Sequence, residues 1–271
     1  MTNTAVPTPV KIQLAFRIYR KEMRDIWESY NLINFYMSEI HTLVKSGDIR
    51  LLTLPSLITS DKRTYSSQDT FGAIDHMRSK ANPRRSLVDA VATFEDFLAH
   101  LVYLTYRDYP GKLLVQDSDQ APEQNVKLLK IIVNGSDKGE ILEKIIEEKI
   151  RGIFYGRPTD FFLKDRAKLE FGDYFKNNCA KQLAQYSEIT ARRNLLAHGG
   201  GKADRKYLRE VRDSPFRLGQ RVPLPAEYIR TSIALLEGLS AAASNLVMRN
   251  IYNQAPRGHI ARSYNSFART L

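Results

Sequence analysis

A chain of 271 residues with 43% hydrophobic side chains has enough apolar material to bury a sizeable core, and its 26% charged content is ordinary for a globular protein. A formal net charge of +11 favours polyanionic partners by long-range attraction, with plain solubility as the alternative. The single cysteine excludes an intrachain disulfide and any multi-cysteine metal site, and it fits a cytoplasmic location. No run of eighteen apolar residues is present, and the polar, proline-containing start lacks the layout of a signal peptide, so neither a membrane span nor export is expected.

In chain order, residues 1–13 read as a disordered N-terminus. Helical spacing then runs from about Leu14 to Lys45, with Phe16, Tyr19, Met23, Tyr30, Phe35 and Val44 in the apolar set and Gly47 as the stop. Trp27 reads as a packing residue. Ile49 to Leu57 is a short strand or a loop, and Thr59 to Gln68 an exposed polar stretch. A strong helix is expected over Ser86–Tyr109, with Ser86 and Asp89 as a weakened capping box and Leu87, Val91, Phe94, Leu98 and Leu101 in its stripe. Pro110-Gly111 breaks it.

An acidic connection over Asp117–Gln124, a short helix over Asn125–Val133 and a turn at Asn134-Gly135 come next. Ser136 or Asp137 caps a further helix to about Ile153. Helical material continues over Phe161–Leu169 and Tyr174–Tyr186. Within it Cys179 reads as a small core residue rather than a nucleophile. Ser187 is the expected N-cap of a helix over Glu188–His198, and Asp204–Val211 is one or two further helical turns. Prolines 215, 223 and 225 mark a bent connection into a long helix over Ala226–Ile251. Residues 254–271 mix Arg257, His259, Arg262 and Arg269 with Tyr264 and Phe267. They read as a flexible basic tail that either touches nucleic acid or is simply disordered. The fold class is all-α: a single domain over residues 14–253, opened by the long helix and carrying an additional C-terminal one.

The chemistry gathers at Arg193-Asn194-Leu195-Leu196-Ala197-His198, followed by Gly199-Gly200-Gly201. On a helix Asn194 and His198 are i and i+4 and share a face, while Arg193 sits roughly 140° around from His198, with a stem long enough to swing toward the same groove. Gly199 is the expected position where the chain turns away. From Arg192 to Arg230 there are ten basic residues against four acidic ones, so the excess charge is concentrated around and after this motif. Arg192, Lys202, Arg205 and Lys206 are candidates for contacting RNA phosphates. A histidine moves protons and an arginine clamps phosphate oxygens, and two copies of the motif facing each other in a symmetric dimer supply acid, base and a double clamp. The alternative is a histidine that merely satisfies a helix end. The five histidines never fall at metal-ligand spacing, Gly199-Gly200-Gly201-Lys202 lacks the spacing of a phosphate-cradling loop, and neither a metal nor another cofactor is expected.

At these residues the sequence resembles the HEPN superfamily, all-α domains whose ribonuclease members carry an arginine, a polar residue, three variable residues and a histidine. The wider string from Arg192 through Gly201 to Tyr207-Leu208, and the earlier Thr93-Phe94-Glu95-Asp96-Phe97-Leu98, are similar to the same group, over roughly residues 86–210. The resemblance implies a helical bundle of the HEPN type. It implies a metal-independent endoribonuclease acting as a homodimer and leaving a 2′,3′-cyclic phosphate, of a kind that serves as a toxin with a cognate antitoxin or in antiviral defence. Carried over by position, Arg193 and His198 are catalytic and Asn194 orients the site. Glu95 is either a polar support from a facing helix or a solvated or capping residue. Some members are non-catalytic nucleic-acid-binding or protein-interaction modules, which keeps that alternative open.

Overall fold

A computed structural model describes residues 6–113, 137–154 and 156–271. The protein is all-α. In chain order come α1 (Thr8–Ser46), a small hairpin of β1 (Thr53–Pro55) and β2 (Lys62–Thr64), α2 (Ser67–His76), a π-helical turn (Met77–Ala81) and α3 (Asn82–Asp108). After the 3₁₀ turn Pro110–Leu113 follow α4 (Lys138–Ile153), α5 (Asp160–Leu163), α6 (Tyr174–Asn178), α7 (Ala180–His198), α8 (Arg205–Glu210), α9 (Ala226–Asn250) and α10 (Gly258–Ala268). The expected acidic connection, short helix and turn between Asp117 and Gly135 lie outside the described residues.

The chain divides into two compact units. The first comprises the chain up to Arg20, Ala92–Thr190 and Leu235–Leu271. The second comprises Lys21–Val91 and Ala191–Ala234. In the first, Phe97 stacks on Tyr19 at 4.6 Å and meets Phe16 edge-on at 5.7 Å. Around Phe94, the rings of Phe162, Phe171, Phe175 and Tyr186 build an aromatic core. In the second, the buried Asn82 side chain donates to the Tyr30 carbonyl at 2.9 Å and to Asn34 Oδ1 at 3.2 Å, joining the start of α3 to α1. Trp27 stacks on Tyr30 there, the packing role expected of it.

Element boundaries differ from expectation for local reasons. α1 begins at Thr8, not Leu14, because Pro9 falls in the first turn, where a missing N–H costs nothing. It ends as expected at Gly47, whose φ of +80° lets Asp48 N–H reach Leu43 O and Gly47 N–H reach Val44 O, a Schellman closure. Phe35, assigned to the apolar set of this helix, is exposed. The expected start at Ser86 is overturned: Ser86 is buried inside α3. The same Ser-x-x-Asp pattern works instead at Ser66 and Asp69, a true capping box that opens α2. α2 runs into α3 through the π turn, ahead of Pro83, which has no N–H to give.

Asp137 caps α4 by accepting from Gly139 and Glu140 N–H. The helix expected over Phe161–Leu169 stops at Leu163 because Asp165, Lys168, Glu170 and Gly172 all take left-handed backbone conformations. The Asp165 carboxylate holds that loop by accepting from Leu169 and Phe171 N–H. Ser187 is not an N-cap; it lies inside α7, which starts at Ala180 after a break at Cys179. Cys179 is therefore at a helix junction rather than mid-helix. It is buried, and desolvation pushes its thiol up to about 11, as suits a packing residue.

The segment after Gln254 is not a flexible tail. It forms α10, with Ile260, Ser263 and Phe267 buried and the Phe267 ring lying against Gly238 of α9. α9 is long and apolar enough to cross a bilayer by length and composition, yet 72% of its most apolar window is buried inside the protein.

Candidate functional site

The motif occupies the last two turns of α7. Ala191 and Leu195, one turn apart, pack with Ala203, Tyr207 and Val222, and this small cluster fixes how that end of the helix is rolled. Leu196 is buried as well. Asn194 is half-buried, and His198, one turn later on the same face, is exposed as the last residue of the helix. Arg193 is half-buried, with its Nε shielded from solvent.

The turn after the motif is made by Gly200 and Gly201, at φ +61° and +76°, rather than by the expected Gly199. Gly199 instead continues the helical bonding, its N–H meeting Leu195 O at 2.8 Å, and Gly201 N–H returns to the same carbonyl at 3.0 Å. The chain leaving Gly201 then zips against the proline-flanked connection. Val222 N–H bonds Gly201 O, Ala203 N–H bonds Gln220 O, and Gly219 N–H bonds Ala203 O. Lys202 and Arg221 become directly opposed across this antiparallel bridge. Asp204 caps α8 by accepting from Tyr207 N–H at 2.7 Å, and the ring of Tyr207 is sunk in the cluster below.

Of the residues expected to contact RNA, Lys202, Arg205 and Lys206 are exposed on this rim, Lys206 with Glu210 at 4.0 Å one turn on. Arg192 is not available for that task. It is only 8% exposed, its Nη1 donates to the Pro223 carbonyl at 2.8 Å, and its guanidinium lies 3.9 Å from the Tyr228 ring centroid with Phe216 at 5.7 Å. The adjacent Arg-Arg in the sequence thus splits into one cation pinned under Tyr228 and one that is half-buried with its Nε shielded. Glu95 is half-buried on α3 in the first unit, whereas the motif belongs to the second. Arg221, counted only as part of the basic excess, gains its place from backbone pairing with Lys202, nineteen positions earlier, which no periodicity in the sequence announces.

No family model, curated protein or solved structure matches the chain. Among the described residues no three His, Cys, Asp or Glu side chains stand together as a metal-binding group.

Proposed function

We propose that this protein is a metal-independent endoribonuclease of the HEPN kind, in which Arg193 and His198 from two copies of the chain form one site. The observation that carries the reading is the exposed imidazole at the end of α7, next to a rim on which Lys202, Arg205, Lys206 and Arg221 all face solvent. In the reaction the 2′-oxygen attacks phosphorus and its proton passes to a base. The bond from phosphorus to the 5′-oxygen breaks, and that oxygen takes a proton, leaving a 2′,3′-cyclic phosphate and a 5′-hydroxyl. His198 from each copy supplies base and acid, Arg193 stabilises the charge on the phosphoryl oxygens, and Asn194 orients the pair. A homodimer with a shared cleft, and a role as a toxin or defence effector under a cognate partner, belong to the same proposal.

The test is cleavage of single-stranded and structured RNA by wild type, His198→Ala and Arg193→Ala in the presence of EDTA. We expect wild-type cleavage to survive chelation and each variant to lose at least about 100-fold. Equal cleavage by all three proteins rejects the assignment. Burial of the Arg193 Nε favours a second reading, a non-catalytic nucleic-acid-binding module in which this arginine is partly structural. Salt-sensitive RNA binding without product in any of the three proteins identifies that case.

A further inference from the structure

Three helices of the first unit meet at a carboxylate. Glu237 Oε1 on α9 accepts from Arg20 Nε on α1 at 3.0 Å and from Ser263 Oγ on α10 at 2.6 Å. That clasp brings the α1 turn carrying Arg17 and Arg20 up to the α10 turn carrying His259 and Arg262. Arg262 Nη2 lies 3.2 Å from His259 Nδ1. A guanidinium can only donate, so Nδ1 is the acceptor and the ring proton sits on Nε2. Desolvation first, then the cations Arg262, Arg20 and Arg17, hold the imidazole below its ordinary range, against a smaller opposing pull from Glu237. Among the described residues the cluster therefore sets three guanidiniums around the carboxylate of Glu237, which is already engaged by Arg20 and Ser263.

We propose that Arg17, Arg262 and the Nε2–H of His259 form a second phosphate-binding site that takes a phosphodiester of an RNA backbone, with Arg20 and Glu237 as the positioning pair. The choice of ligand rests on the RNA reading above, but not on cleavage. A phosphate oxygen accepts from guanidinium and imidazole N–H groups alike, and an anion relieves the mutual repulsion of the arginines. A neutral imidazole serves here as a fixed donor, in contrast to the proton-transferring role assigned to His198.

The experiment uses the 271-residue chain carrying His198→Ala, which on the nuclease proposal leaves RNA intact. Binding of a short single-stranded RNA is measured over a range of salt, with the His259 ring resonances followed by NMR. Adding Arg17→Ala and Arg262→Ala is expected to weaken RNA binding roughly five- to tenfold at physiological salt and to reduce the salt slope by about 0.7, the value for one single-strand phosphate contact. The His259 resonances shift on adding RNA, and inorganic phosphate as a probe shifts the same resonances at higher concentration. Removing equal charge with Arg78→Ala and Arg84→Ala, exposed residues of the second unit, is expected to leave the slope nearly unchanged. Equal losses from both pairs, or His259 resonances that RNA leaves in place, overturn the site. Resonances that move with free phosphate but not with RNA overturn the RNA assignment. Absence of RNA binding by every protein sinks this proposal together with the RNA reading, whereas binding with an unaltered slope in the Arg17/Arg262 variant sinks this proposal alone.

Discussion

At Arg192 the guanidinium is sandwiched against the Tyr228 ring and tied to the Pro223 carbonyl, so its charge is spent inside the fold. Arg192→Ala removes a cation–π contact and the part-buried hydrogen bond to the Pro223 carbonyl, an expected loss of about 1–2 kcal/mol of stability in urea unfolding. Arg192→Lys keeps the charge but not the flat stacking group, and is expected to be destabilised nearly as much. If Arg192→Lys unfolds like wild type, the packing account of this residue is wrong. Its neighbour Arg193 is only half-buried, although its Nε is shielded from solvent. Which of two adjacent arginines is sunk deepest depends on what the helix packs against, and nothing in the pair Arg192-Arg193 itself carries that distinction.

α10 shows what a helix contributes when sequence reading takes it for a tail. Its buried residues Ile260, Ser263 and Phe267 follow helical spacing, a signal that the arginines and small polar residues between them obscured. The element is anchored by the Phe267 ring against Gly238, where an added Cβ would point straight into the ring. Gly238→Ala is therefore expected to destabilise by roughly 1–3 kcal/mol through overpacking, even though alanine is the better helix former. Combining it with Phe267→Leu should recover part of the loss, and a melting temperature for Gly238→Ala at or above wild type would refute this contact as an anchor. The long helices were readable because their apolar periodicity is strong, as in α1, α3 and α9. The break at Asp165 to Gly172 was not, since three of its four left-handed residues are Asp, Lys and Glu rather than glycine.

For the molecule as a whole, α10 is part of the first unit's core, so removing residues 255–271 is expected to lower the unfolding midpoint and expose apolar surface to a dye. A truncated chain that unfolds like the intact one would restore the reading of this end as a dispensable tail. The two units are each assembled from distant stretches of chain, and α1, α3, α7 and α9 each contribute residues to both. That division has no mark in composition or linkers, because no linker separates the units. The all-α class and the long helices were legible from local rules, chiefly helical spacing and the lack of any long alternating run, as was the placing of the motif on a helix that ends at His198. What tertiary structure alone decided is which cations remain outside. It sank Arg192 under an aromatic ring, set Lys202 opposite Arg221 and gathered Arg17, Arg20, His259 and Arg262 around Glu237. The physical reason is that a charged side chain's fate is fixed by the partners brought to it from far along the chain, and only folding brings them.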